Sequence, residues 1–179
     1  VDKTAPTFEA SSSINVTSNN SNSAYVKQGD TITFTALFSE AVSISSSTAA
    51  DMRIPFLIET TTYYAEATAI SSSVVNNDDT MTFTYAVPSS VNGAVSFAQS
   101  ATLDFQNSAT LKDTAGNDMT ATTLPSLSGS ITVDTTAPTF EASSSINVSS
   151  NNTNSAYAKQ GDTITFTALF SEAVSISSS

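Results

Sequence analysis

The chain has 179 residues, with 5 Lys plus Arg against 16 Asp plus Glu, for a net charge of −11. Such a charge repels phosphate backbones and anionic headgroups, so neither nucleic acid nor membrane insertion is expected, and no apolar run approaches the ~18 residues of a spanning helix. With no Cys, no His and no Trp, the chain has no thiol nucleophile, no His-based triad and no ordinary zinc site, and an enzyme is not expected.

Residues 133–179 repeat residues 1–47 with 43 of 47 positions identical, each letter standing at its number plus 132. The four exchanges are Lys3 to Thr135, Thr17 to Ser149, Ser21 to Thr153 and Val26 to Ala158. A unit running from 1 to 132 is long enough for one sandwich with its own core, and the whole chain does not hold two. The sequence therefore divides into a complete repeat over 1–132 and the first third of the next over 133–179, a window on a tandem array.

In chain order, Val1 to Pro6 reads as a short, extended joint, because proline biases the preceding residue away from the helical region; it returns at Val133 to Pro138. A strand is expected over Phe8 to Val16, then a polar turn-forming loop from Thr17 to Ser23. Thr31 to Phe38 alternates, with Ile32, Phe34, Ala36 and Phe38 on one side and threonines on the other, as in a half-buried strand. Further strands are expected over Ile54 to Glu59 and Tyr63 to Ile70. After the acidic turn Asp78-Asp79, Met81, Phe83, Tyr85 and Val87 alternate again. Gly93 to Phe105 keeps one apolar phase but exceeds a typical strand, so a bend is expected near Gln99-Ser100. Ser130 to Val133 closes the unit. Seven short strands without helical periodicity predict an all-β, immunoglobulin-like antiparallel β-sandwich, repeated in tandem, its second repeat incomplete.

Four short motifs occur in order: Asp-Xaa-Thr-Ala-Pro at Asp134 to Pro138, Gly-Asp-Thr-Ile-Thr at Gly161 to Thr165, Ser-Glu-Ala-Val at Ser171 to Val174, and Asp-Thr-Ala-Gly-Asn at Asp113 to Asn117. The first three occur twice, at the spacing of the repeat. In this combination the chain resembles the bacterial immunoglobulin-like (Big-type) repeats of very large extracellular adhesins and surface filament proteins. The stretch from Asn107 to Leu127 is longer than such repeats usually need. The resemblance implies an extracellular or cell-surface structural module, often calcium-dependent, whose partners are neighbouring repeats of the same protein in a fibre or array.

An immunoglobulin-like topology brings the start of the first strand, the turn after Phe38 and the late acidic loop to one end. Asp2, Glu40, Asp113, Asn117 and Asp118 could converge there, with Asp134 and Glu172 equivalent in the second copy. Several carboxylates with an amide oxygen suit the roughly 6 to 8 oxygen ligands of calcium. The alternative is that Asp113 to Asp118 is only a turn, with Gly116 or Asn117 at positive φ and Asp113 bonding the nearby backbone. Other features have plainer readings: the threonine row as a β-branched outer face, and Tyr25, Tyr63 and Tyr64 as half-buried rings rather than a sugar platform. Lys27 or Lys112 could form an isopeptide bond with an Asn, although no spacing requires it. The expected function is extension and tethering; the rival is a module that binds glycan or a host protein through its loops, above all Asn107 to Leu127.

Overall fold

The computed structural model of the protein describes residues 1–46, 48–68, 79–141 and 146–176. Among these there is no α-helix; apart from a 3-10 turn at Ala49–Asp51, the regular structure is all strand. The chain divides into two compact units, Val1–Thr135 and Thr136–Ser179.

The first unit contains β1 (Ile14–Ser18), β2 (Tyr25–Val26), β3 (Thr31–Leu37), β4 (Val42–Ser45), β5 (Met52–Ile58), β6 (Thr61–Ala67), β7 (Thr80–Ala86), β8 (Gly93–Ser96), β9 (Asp104–Phe105), β10 (Thr110–Asp113), β11 (Leu127–Ser128) and β12 (Thr132–Val133). One sheet runs β11-β1-β3-β7-β6-β5-β8-β12-β2, with β9 also on β5, while β4 and β10 form a separate antiparallel pair. The sheet is mixed rather than wholly antiparallel, because β1 pairs with β11, and β2 with β12, in parallel. Both parallel ladders lay an early segment of the unit beside a late one. Gly129 permits the first of these: its φ is +97° and an added Cβ would lie 2.9 Å from the Val16 carbonyl oxygen.

Alternation in β3 places Ile32, Phe34 and Ala36 inside and leaves Thr31, Thr33 and Thr35 half-buried on the outer face. Phe34 meets Phe56 on β5 at 4.9 Å between ring centroids and Phe97 at 5.9 Å, although β7 and β6 stand between β3 and β5 in the sheet. Contact across two intervening strands requires the sheet to curl over itself. The corner is β6, which pairs with β5 from Thr61 to Glu66 and with β7 at Glu66 and Ala67. The curl encloses Ile14, Ile32, Phe34, Phe38, Ile54, Phe56, Phe83 and Ile131, each worth about 1.5–3 kcal/mol of burial.

Several elements differ from the sequence expectation. The strand from Phe8 is interrupted: Phe8 bridges and stacks on Phe38 at 5.2 Å, then a turn with Ser11 at φ 68° intervenes before β1. The bend near Gln99-Ser100 is present, with Ser100 at φ 57° and the Ala101 N–H donating to the Ala98 carbonyl at 3.2 Å, and it separates β8 from β9. Alternation gives no warning of β2, β4, β10 or β11, which are too short to show a period. The end of the strand expected to reach Ile70, and Asp78, lie outside the described residues.

The second unit holds β13 (Asn147–Ser150) and β14 (Ile164–Thr167). Their pairs Asn147↔Thr167 and Val148↔Phe166 are the repeat counterparts of Asn15↔Thr35 and Val16↔Phe34. Phe140 stacks on Phe170 at 5.1 Å and 21°, as Phe8 does on Phe38 at 5.2 Å and 20°. What differs is burial: Val16, Ile32 and Phe34 are 5%, 0% and 0% exposed, whereas Val148, Ile164 and Phe166 are 56%, 52% and 68% exposed.

That contrast sets a prediction. Phe34→Ala should lower unfolding free energy by about 3–5 kcal/mol, while Phe166→Ala, at the same place in the repeat, should stay within about 0.5 kcal/mol of the parent. Urea unfolding of both variants measures this, and equal losses would contradict it.

Candidate functional site

The joint, the turn after β3 and the end of β10 come together as expected. Carboxylate oxygens of Asp2, Glu40 and Asp113 all lie within 4.8 Å of one another, and among the described residues this is the one acidic group of three. Asp2 is exposed, Glu40 half-buried and Asp113 buried. Antiparallel pairing of β10 with β4, Asp113 opposite Val42, fixes Asp113 next to the turn that carries Glu40.

The acidic loop is also a true turn, with Gly116 at φ +93°. The Asn117 N–H donates to Asp113 Oδ1 at 2.8 Å and its side-chain amide to Asp113 Oδ2 at 2.7 Å. That amide nitrogen also donates to the Thr4 carbonyl at 3.2 Å, while the Thr4 N–H donates to Asp2 Oδ1 at 2.9 Å. Asn117 thus works as a strap that ties the joint to the loop. Asp118 is placed differently: it pairs with Lys112 at 2.7 Å and is not one of the converging acids. Asp134 follows β12, its N–H donating to the Val26 carbonyl at 2.8 Å, and Glu172 is half-buried in the second unit.

Charge in this cluster is unevenly tolerated. Burial raises the pKa of Asp113, but the Asn117 amide and the backbone N–H groups of Asn117, Gly116 and Ala115 outweigh it and hold the carboxyl below its ordinary range. Among the described residues Glu40 has no such donors; desolvation, then the charges of Asp113 and Asp2, push it up. Three close oxygen donors that repel one another form an arrangement that a hard divalent cation relieves.

Elsewhere polar groups serve structure. Asp30 is buried and accepts the Lys27 N–H at 2.9 Å, the Lys27 ammonium at 2.7 Å and the Asn20 amide at 2.6 Å. These bonds, the Lys27 backbone first, lower its pKa to about 2. Buried Asp51 accepts from Ser46 and, at 2.7 Å, from Asn107. Lys27 and Lys112 are both engaged with aspartates, rather than set against an Asn for an isopeptide bond. Tyr63 packs on Phe56 and Tyr85, while Tyr64 lies under the Arg53 guanidinium at 4.4 Å. The Asn20–Asp30 clamp is absent from the sequence reading, although Asp30 in a Gly-Asp turn, ten residues after an Asn, is its trace.

The shifts set two pH dependences. Asp30 is depressed from 3.8 to about 2, so its contribution is present above pH 3.8 and is lost as pH falls towards 2. Asp30→Asn should destabilise the protein at pH 7 and flatten that acid limb, as followed by circular dichroism. Glu40 is raised, so its favourable contribution exists below its ordinary value and disappears as pH rises through the folded one. In chelator at pH 7, Glu40→Gln should therefore raise the urea midpoint; a lowered midpoint would refute the repulsion described.

No protein-family model matches the chain, and neither curated proteins nor solved structures provide a match.

Proposed function

We propose that this chain is a structural repeat module of an extracellular filament, stalk or giant cell-surface adhesin, extending and tethering without catalysis. The observation that carries the reading is the repetition itself: two stretches identical at 43 of 47 positions form one and the same registered hairpin. A segment that folds alike twice is suited to concatenation. The strand order supports an immunoglobulin-like unit, with β1, β3 and β7 in the roles of strands A, B and E, and β5, β8 and β12 in those of C, F and G. Thr135, early in the repeated Val-Asp-Xaa-Thr-Ala-Pro segment, is anchored within the first unit. The Thr135 N–H donates to Asn92 Oδ1 at 2.7 Å, and the Thr135 hydroxyl accepts the Val91 N–H at 3.1 Å.

Calcium at the joint belongs to this proposal, held by Asp2, Glu40 and Asp113 with Asn117 setting the loop. Ion binding to the folded state alone raises the unfolding temperature with concentration. Addition of calcium should do so for the parent, and the rise should be lost in Glu40→Gln and Asp113→Asn; an unresponsive parent would remove the ion but leave the repeat reading intact. Electron microscopy of the native assembly tests the rest: a periodic fibre or stalk is expected, and a dispersed protein without axial periodicity would overturn the reading.

The rival, recognition of glycan or protein through loops, has one observation in its favour. An open cavity of ≈ 470 Å³ is lined by Phe97, Ser100, Leu124, Pro125 and Ser126 among others. Against it, residues 107–127 are tied down by β10 on β4 and by the Thr102–Thr123 bridge. Binding on a glycan array that Phe97→Ala abolishes would favour recognition.

A further inference from the structure

The pattern Asn-Xaa-Ser/Thr occurs four times, at Asn15-Val16-Thr17, Asn19-Asn20-Ser21, Asn147-Val148-Ser149 and Asn151-Asn152-Thr153. All four lie in the two copies of the hairpin. None of Asn76, Asn77, Asn92, Asn107 and Asn117, elsewhere in the unit, has Ser or Thr two residues on. Two of the four exchanges between the copies, Thr17 to Ser149 and Ser21 to Thr153, fall on the hydroxyl position of the pattern, and each replaces one hydroxyl by the other.

The asparagines of the hairpin differ in what their side-chain nitrogens do. Asn20, which has Asn22 two residues on, is half-buried, and its amide nitrogen donates to Asp30 at 2.6 Å. Asn15 stands on β1, where alternation turns Ile14 and Val16 inward and Asn15 and Thr17 outward. Acceptor and hydroxyl therefore share one exposed face of a unit whose core is filled. Among the described residues the Asn15 side chain makes no hydrogen bond. Asn19 is exposed as well and fixes the turn through its oxygen alone: Oδ1 accepts the Thr31 N–H at 2.8 Å, while among the described residues Nδ2 donates to no group. A substituent on Nδ2 leaves that bond in place and extends into solvent, as a bulky glycan must.

We infer that Asn15 and Asn19, with their copies Asn147 and Asn151, are acceptors for N-linked oligosaccharide. In the transfer, Asn Nδ2 bonds to C1 of a sugar delivered as a lipid-linked glycosyl diphosphate. The C1–O bond to the diphosphate breaks, the lipid diphosphate leaves with the bonding pair, and Nδ2 gives up one proton to a base of the transferase. Two glycans per hairpin then clothe the outer face of β1 and the turn that follows it. The inference rests on the extracellular reading, because such transfer acts on exported chains.

Glycopeptide mass spectrometry of the native protein tests it. Sugar-bearing fragments should map to Asn15, Asn19, Asn147 and Asn151, with Asn20 and Asn22 bare. In the cells that make the protein, Thr17→Ala should abolish the glycan at Asn15 and leave that at Asn19, whereas Thr17→Ser should retain both. Thr17 is exposed, so neither change endangers the fold. Sugar at Asn20 or Asn22, or a glycan at Asn15 that survives Thr17→Ala, would overturn the inference. A membrane-impermeant amine reagent applied to intact cells separates the two readings, since Lys27 is 69% exposed. A chain labelled from outside yet bare at all four asparagines overturns the glycan alone; a chain beyond the reagent's reach overturns the extracellular reading and the glycan with it.

Discussion

Most of the first unit is organised by what β3 needs. A strand whose inner face is Ile32, Phe34 and Ala36 must have that face covered and both edges paired, or it leaves apolar surface and backbone donors to water. β1 and β7 take the edges, and the curl at β6 swings Phe56 and Phe97 over Phe34. The second unit displays the same strand without those coverings, and its phenylalanine is left 68% exposed.

That the hairpin persists without its coverings is a matter of local chemistry. Asn19 Oδ1 accepts the Thr31 N–H at 2.8 Å, and Asn151 accepts the Thr163 N–H at 2.9 Å. Asn20 and Asn152 each donate to an aspartate ten residues on, at 2.6 and 2.7 Å. Short polar side chains bond nearby backbone and so fix a turn independently of any core. The loop that reads as merely hydrophilic is the element that both copies of the hairpin share bond for bond.

Part of the acidic excess is neutralised in ion pairs and part is satisfied by other donors. Asp30, Asp104 and Asp118 each have a cation, at Lys27, Arg53 and Lys112. Asp113 is satisfied by Asn117 and backbone donors instead, which lets it sit buried beside Glu40 and Asp2. The repulsion then falls on Glu40, whose pKa is raised by desolvation and by the charges of Asp113 and Asp2.

Amino-acid order alone specifies the all-β class, the repeat period, the cores of β3, β5 and β7, and the bend after β8, whereas the approach of Asp2, Glu40 and Asp113 is expected only on an assumed topology. Each leaves a local trace, in side-chain period, turn residues or the copied letters themselves. The folded chain was needed to reveal that β1 and β2 take parallel partners, that β10 locks onto β4, and that Asp118 turns to Lys112 while Asn117 straps Thr4. Most of these join residues far apart in the chain, and no local pattern encodes the partner. The same limit explains why identical residues at Phe34 and Phe166 differ so completely in burial: burial belongs to what packs against a side chain, not to the side chain.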